Sequence, residues 1–262
     1  MVLFLFLAHL AIGIVFTLVF VSREAGVKFF RFNAGLAAVL LAAAFVFRPP
    51  EASASGAGRV AFVALLLIES ALLLYWSTVG RRWAAIRPAV VATAVGAGCV
   101  ALVAQALSTS SGVAGHAMTI ASFLSSAALL GGACTAMILG HWYLVIPSMQ
   151  VSHLQSIVKV HIASMVVRVV VVAAAVFLAI VTWQPGFGPS FAYYITSTSG
   201  IFFWQRVLFG LFGPALLSYL TWETAKIRST QSATGILYVD FFTVVVGEVL
   251  AKYLLLATRV PV

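Results

Sequence analysis

The stretch Gly131–Arg168, GGACTAMILGHWYLVIPSMQVSHLQSIVKVHIASMVVR, decides how this chain folds, because it concentrates unusual polar residues within two apolar runs. The first run ends in His-Trp-Tyr, the chain breaks at Pro147, and a second apolar run follows. Three of the five histidines lie here, namely His141, His153 and His161. This pattern predicts two antiparallel helices joined by a tight turn.

The second helix of this stretch carries its polar residues on one face. At 100° per residue, five of them fall within about 80° of one another. They are Gln150, His153, His161, Ser164 and Arg168. Contact with hydrocarbon would penalise all of them, so the sequence predicts that this face looks into the protein.

The composition extends this interpretation to the whole chain. Of the 262 residues, 63% are hydrophobic and only 8% are charged, and the mean hydropathy is +1.13. These values predict an all-α integral membrane protein, a single domain over residues 1–262. Counting apolar runs of about 20 residues predicts a bundle of about eight transmembrane helices. The predicted spans are 2–21, 30–47, 60–79, 89–107, 116–143, 156–182, 201–221 and 236–257. We expect residues 2–21 to be a retained span rather than a cleaved signal peptide.

The distribution of basic residues predicts the orientation in the membrane. The net charge is +9, but the basic residues are scattered in short connectors, which argues against a nucleic-acid partner. Connectors 1–2, 3–4 and 7–8 hold Arg23, Lys28, Arg31, Arg81, Arg82, Arg87, Lys226 and Arg228, whereas the other side has Arg48, Arg59 and Arg259. We therefore expect both termini to face away from the cytoplasm, in the cell (inner) membrane.

Charged residues near the middle of the predicted spans need partners. Glu69, Arg168 and Glu248 occupy such positions, so we expect Arg168 to pair with one or both carboxylates. Lys252 follows Glu248 by four residues, which allows a local pair instead. The cluster has either a purely structural role or a functional one. In the functional case it would handle protons or bind the polar end of a ligand. Arg206 and Asp240 lie nearer span ends, where they can reach the interface.

The histidines admit several kinds of chemistry. His141 and His153 flank Pro147 at similar depth, and His161 lies about two turns deeper. A neutral imidazole there can bond a quinone carbonyl, shuttle protons or ligate haem iron. Two helices of one tight hairpin are usually too close to hold a porphyrin, so haem b is disfavoured without being excluded. We expect no covalently bound cofactor, no metal site and no disulfide, because Cys99 and Cys134 stand alone in apolar runs.

Several enzyme classes are disfavoured by missing motifs. The sequence contains no aspartate-rich magnesium motif, HExxH, GxSxG or P-loop. At most, therefore, the chain is a membrane subunit of an oxidoreductase complex.

The general plan resembles a known family. Eight spans, outward termini, a seventh span with Pro214 and a last span that reads GEVLAKYLLLATRVP at 247–261 are similar to the polysulfide reductase/NrfD and DMSO reductase anchor-type membrane subunits. The resemblance implies a protein that passes electrons between a membrane quinone and a peripheral iron–sulfur subunit, without haem of its own.

Three functional hypotheses follow. The first is a quinone-interacting subunit of a respiratory or electron-transfer complex, with His141, His153, His161 and Arg168 lining the site and with iron–sulfur or cytochrome partner subunits. Glu69, Glu248 and Lys252 would then handle protons or form a buried ion cluster. The second hypothesis is a small-molecule or ion transporter with a charged site at the membrane midplane. The third is an accessory subunit without chemistry of its own.

Overall fold

The computed structural model describes residues 1–80, 84–146, 149–182 and 190–262, and in these ranges the chain is helical without any β-strand. The helices are α1 Val2–Leu18, α2 Gly26–Val46, α3 Gly56–Thr78, α4 Arg87–Thr109, α5 Val113–Val145, α6 Val151–Val181, α7 Phe191–Thr196, α8 Ile201–Val207, α9 Gly213–Lys226 and α10 Thr230–Thr258. A π-helical segment, Leu208–Phe212, joins α8 to α9 without a break.

Seven of the described helical segments are long and apolar enough to cross a membrane, with α8, the π-helical segment and α9 counted as one. The remaining segment, α1, is apolar but has only 17 residues, a length of about 25 Å. The prediction of an all-α membrane bundle is therefore confirmed, and the predicted spans appear in the observed order.

The element boundaries differ from the predicted spans by a few residues. Helix α5 has 33 residues and extends beyond the predicted 116–143 at both ends. Helix α6 has 31 residues and begins at Val151 rather than at 156, and α10 begins at Thr230 rather than at 236. The short helix α7 was not predicted. Pro147, Arg81, Arg82 and residues 184–189 lie outside the described residues.

Helix α5 lies at the centre of the bundle, where it contacts α1, α4, α6 and α10. Its buried positions are mostly small residues, including Ser126, Ala127, Gly131 and Gly132. Small side chains let neighbouring backbones approach closely, and in a membrane such packing replaces the hydrophobic effect as a driving force. The residues of α5 thus determine how near the polar side chains of other helices can come to the centre.

The crossing of α1 and α5 is an example of such a close approach between helix backbones. A Cβ on Gly13 would lie 2.8 Å from the backbone nitrogen of Gly131 and closer still to the carbonyl oxygen of Ala127. Beside this contact the Thr17 hydroxyl lies 2.6 Å from that of Thr135 and donates to the Gly131 carbonyl at 3.1 Å. Glycine is therefore required at both helix positions.

Helix α1 begins and helix α10 ends at the same end of the bundle, because the helices from α1 to α10 cross it an even number of times. Met1 lines a small cavity together with Arg48 and Ser108, which end α2 and α4. We call this the terminal end. The other end, which we call the opposite end, holds the turn Arg23–Ala25 and the connection between α5 and α6.

The α1–α5 crossing yields a test of the fold. We expect Gly131→Ala to lower the free energy of unfolding by at least about 1–3 kcal/mol, because the new methyl group would overlap the α1 backbone. Thermal unfolding in detergent measures the loss. The matched control is Gly96→Ala, since nothing lies within 4 Å of a Cβ at that position. Equal melting temperatures for the two variants would contradict the crossing.

Candidate functional site

The most highly charged part of the bundle interior is built around Glu248 of α10. Arg168 of α6 donates from Nε to Oε1 of Glu248 at 2.9 Å and from Nη2 to Oε2 at 3.2 Å. Both side chains are 0% exposed. This is the two-point contact that a guanidinium forms best with a carboxylate. Of the two carboxylates expected as partners of Arg168, Glu248 forms the pair.

Arg168 also donates hydrogen bonds to two other parts of the chain. Nη1 donates to the hydroxyl of Ser122 on α5 at 2.9 Å and to its carbonyl oxygen at 3.3 Å. Nη2 donates to the main-chain oxygen of Val262 at 3.3 Å. The guanidinium therefore ties α5, α6, α10 and the residues after α10 together.

A second arginine reaches the same carboxylate. Arg206 of α8 donates from Nη2 to Oε1 of Glu248 at 2.8 Å, and it is 0% exposed. The prediction that Arg206 reaches the interface is therefore wrong. The reason is a close helix crossing: a Cβ on Gly210 would lie 2.5 Å from the Cα of Gly247. This contact brings the π-helical segment against α10 and turns Arg206 inward.

Lys252 completes the cluster through a hydroxyl bridge. Its Nζ lies 3.7 Å from Oε2 of Glu248 and donates to Oγ of Ser126 at 2.7 Å. Ser126 in turn donates to Oε2 of Glu248 at 2.5 Å. The expected pairing of Lys252 with Glu248, four residues apart, is thus present. The sequence analysis missed Ser122 and Ser126, although their spacing of four residues places both on one face of α5.

The charges of this cluster do not balance. Three basic side chains that are at most 1% exposed face one glutamate, and no second Asp or Glu in the described part of the chain lies within ion-pair distance of them. Buried charge of one sign is costly in a medium of low dielectric constant. Arginine does not lose its proton in proteins, so Lys252 is the cation in this cluster that can.

A second buried pair lies closer to the opposite end. Nε2 of His161 on α6 is 2.7 Å from Oδ2 of Asp240 on α10, and both side chains are 0% exposed. The prediction that Asp240 reaches the interface is therefore wrong. The ring N–H does not point at this oxygen, so the contact is close without being an aligned hydrogen bond. Nδ1 of His161 and Oδ1 of Asp240 have no hydrogen-bond partner among the described residues.

The two buried sites are stacked along the bundle on the same pair of helices. Seven positions separate His161 from Arg168 on α6, and eight separate Asp240 from Glu248 on α10. At 1.5 Å per residue, the sites lie about 10–12 Å apart along the membrane normal.

The other two histidines of the predicted site have separate partners. Nδ1 of His141 is 2.9 Å from the hydroxyl of Tyr238 on α10. Nε2 of His153 is 2.7 Å from Oε2 of Glu24 at the opposite end. With His161 paired to Asp240 and Arg168 to Glu248, the four candidate quinone ligands therefore do not converge on one site.

Glu69 lies apart from the cluster. It is half-buried on α3, its Oε2 has no hydrogen-bond partner and it forms no ion pair among the described residues. Of the two carboxylates offered as partners of Arg168, Glu69 is therefore the one that does not pair with it. Helix α3 contacts α2 and α4 and does not border α6.

Toward the terminal end, His9 of α1 continues the series of buried polar groups. It is 0% exposed and stands edge-on to Phe123, with 4.6 Å between the ring centroids. The ammonium of Lys252 lies 5.1 Å from the centroid of the same phenyl ring. The side chain of Gln105 lies beside His9 without an aligned hydrogen bond.

An apolar groove of about 590 Å³ runs along another face of α6, between α1 and α4. Its walls include Phe16, Phe20, Cys99, Ser164 and Val167. His161 and Arg168 do not line it, because Arg168 faces α5 and α10 and His161 faces α10. Ser164, which was predicted to share their face, lies at its edge.

Comparisons of the chain with protein-family models, with curated proteins and with solved structures give no match. The fold and the site therefore define the class of protein by themselves. It is a polytopic helical membrane protein with two stacked sites of buried ionisable groups. The resemblance to quinone-linked anchor subunits stays a prediction.

The charge imbalance makes Glu248 the residue on which the cluster depends. We expect Glu248→Gln to lower the free energy of unfolding by about 3–5 kcal/mol, because it leaves three buried cations without a counter-charge. Glu69→Gln is the matched control, since it makes the same change in a half-buried carboxylate without an ion pair. Thermal unfolding in detergent compares the two. Equal destabilisation would show that the cluster does not depend on the Glu248 charge.

Proposed function

We propose that this chain is a membrane transporter whose ion is the proton. The observation that supports this proposal best is the stack of two fully buried acid–base sites, His161–Asp240 and Lys252–Ser126–Glu248, inside one helical bundle. Buried ionisable groups are costly in a membrane, and proton relays are among the functions that retain them. The second hypothesis from the sequence, an ion transporter with an intramembrane charged site, is the one that this geometry favours.

Protons would enter at the opposite end through His153 and Glu24. Their side chains are 20% and 58% exposed, so both can exchange protons with water. In the orientation inferred from the basic residues, this end faces the cytoplasm. Eight positions separate His153 from His161, about 12 Å along α6.

The His161–Asp240 pair would form the first buried station. Imidazole binds and releases protons near neutral pH, and an adjacent carboxylate stabilises its cationic form. Nδ1 of His161 and Oδ1 of Asp240 have no hydrogen-bond partner in the part of the chain that the structure describes. These atoms are therefore free to bond water molecules that bring a proton in or take it on.

Lys252, Ser126 and Glu248 would form the second station. Lys252 can release a proton to water and take one up again, while Glu248 stays ionised and keeps Arg168 and Arg206 paired. Beyond it, His9 and Gln105 lead toward the terminal end. Because the gaps between stations exceed a hydrogen bond, transfer along the whole path requires intervening water.

Proton flux into liposomes tests this function. Purified protein is reconstituted with a pH-sensitive dye inside, and a potassium gradient with valinomycin drives protons inward. We expect flux above that of protein-free liposomes, and at least a tenfold loss in Asp240→Asn and in Lys252→Met, because each variant removes a proton-binding group from one station. Glu69→Gln should retain the wild-type rate.

Two results would refute the proposal. The first is wild-type flux equal to that of protein-free liposomes. The second is undiminished flux in both station variants. Thermal unfolding and gel filtration of each variant confirm that it is folded before its flux is compared.

A second candidate, quinone binding, is favoured by the apolar groove beside α6. Its volume of about 590 Å³ suits an isoprenoid chain. Ser164 at its edge is three residues from His161, so a head group there would lie near a buried imidazole. Such a protein would exchange electrons with a partner subunit, as in the family that the chain resembles.

Filling the groove tests the quinone candidate. We expect Ser164→Trp to weaken the affinity for decylubiquinone at least tenfold, because the indole would occupy the groove. Val170→Trp adds the same ring to α6 at a residue that is 62% exposed and does not line the groove, and should leave the affinity unchanged. Fluorescence quenching gives both affinities. No measurable binding to the wild-type protein would eliminate this candidate.

A further inference from the structure

We infer that the groove between α2 and α3 at the opposite end binds an anionic phospholipid. The groove has a volume of about 670 Å³. It has basic residues at its mouth and apolar residues along its length. The inference concerns a different face from the buried stations, and it does not rest on proton transport.

One face of α2 carries a basic residue followed by apolar residues, the order that matches the headgroup and acyl chain of a phospholipid. Lys28, Phe32, Gly35 and Val39 line the groove at spacings of four, three and four residues, which places them on one side of the helix. Lys28 is exposed near the helix start. The charged residue thus stands at headgroup level, and the apolar positions follow toward the membrane centre.

Helix α3 supplies the other wall. Leu73 and Trp76 line the groove and are 52% and 47% exposed. A Cβ on Gly35 would lie 3.0 Å from Nε1 of Trp76, so the glycine leaves room for the indole beside α2. The indole N–H has no acceptor among the described residues and is a free donor at the same end as Lys28.

The positive charge at the mouth is not neutralised by any carboxylate that the structure describes. Neither Lys28 nor Arg31 forms an ion pair there; Arg31 donates from Nη2 to the uncharged carbonyl oxygen of Val79 at 2.6 Å. The basic residues of the groove therefore remain available to an anion.

The occupant that fits these features combines a phosphate with an acyl chain. Lys28 and Arg31 complement the phosphate charge, the Trp76 indole offers a hydrogen bond, and the wall of Phe32, Leu36 and Val39 accepts hydrocarbon. Basic pockets between membrane helices recognise anionic headgroups through such contacts. A soluble anion would leave the apolar wall unused.

Native mass spectrometry of the detergent-solubilised chain measures the binding. We expect phosphatidylglycerol to bind at least tenfold more tightly than phosphatidylcholine. The double variant Lys28→Gln/Arg31→Gln should weaken phosphatidylglycerol binding about 30-fold, because each basic residue near the headgroup contributes by charge. Gly35→Leu should weaken the binding of both lipids by obstructing the groove. Thermal unfolding verifies that each variant is folded.

Arg59→Gln is the matched control, because Arg59 lines another apolar groove, nearer the terminal end of α3. Unchanged phosphatidylglycerol affinity in this variant supports the proposed site. Equal affinities for the two lipids, or equal weakening by Arg59→Gln, would overturn it. Displacement of the lipid by millimolar inorganic phosphate would also overturn it, since the site would then recognise the anion without the acyl chain.

Discussion

A single carboxylate, that of Glu248, holds three cations from three helices inside this bundle. Arg168 comes from α6, Arg206 from α8 and Lys252 from α10 itself, and none is more than 1% exposed. Removing such charges from water costs several kcal/mol each, and only close contact with an opposite charge offsets that cost. Arg168 and Arg206 can therefore meet Glu248 only where α6 and α8 lie close enough to α10 for their guanidinium groups to reach it. The cluster holds three basic side chains around one carboxylate side chain.

Such contacts are possible because helices approach one another at glycines. The Gly210–Gly247 crossing brings the π-helical segment against α10, and the Gly13–Gly131 crossing brings α1 against α5. In a membrane, lipid tails are as apolar as leucine, so packing and interhelical hydrogen bonds must supply the association energy. Close backbones also shorten the reach that polar side chains need. The glycine contacts thus determine the distances between the helix backbones, and the ion pairs of the charged cluster depend on those distances.

The sequence predicted the helices well, because long apolar runs have few alternatives in a protein of this composition. It also predicted that Arg168 has a carboxylate partner, since an unpaired intramembrane arginine is too costly. It did not distinguish Glu248 from Glu69, because these helices are apolar all round and a weakly amphipathic helix does not show which face is buried. Asp240 was misplaced because α10 begins at Thr230 rather than at the predicted residue 236, which puts Asp240 deeper. The sequence did not predict that Arg206 points inward or that Ser126 bridges Lys252 and Glu248, because both features depend on tertiary contacts.

Helix α10 is the element that the two buried sites share. It carries Asp240, Glu248 and Lys252 on one continuous helix. A displacement of α10 relative to α5 and α6 would therefore change the distances in the His161–Asp240 pair and in the Glu248 cluster together. The gap of about 12 Å between the sites is too long for a direct proton transfer. The two sites are therefore separate in space and share the helix that carries their carboxylates. The close Gly210–Gly247 contact restricts the position of this helix against the π-helical segment, because the backbones have no room to approach further.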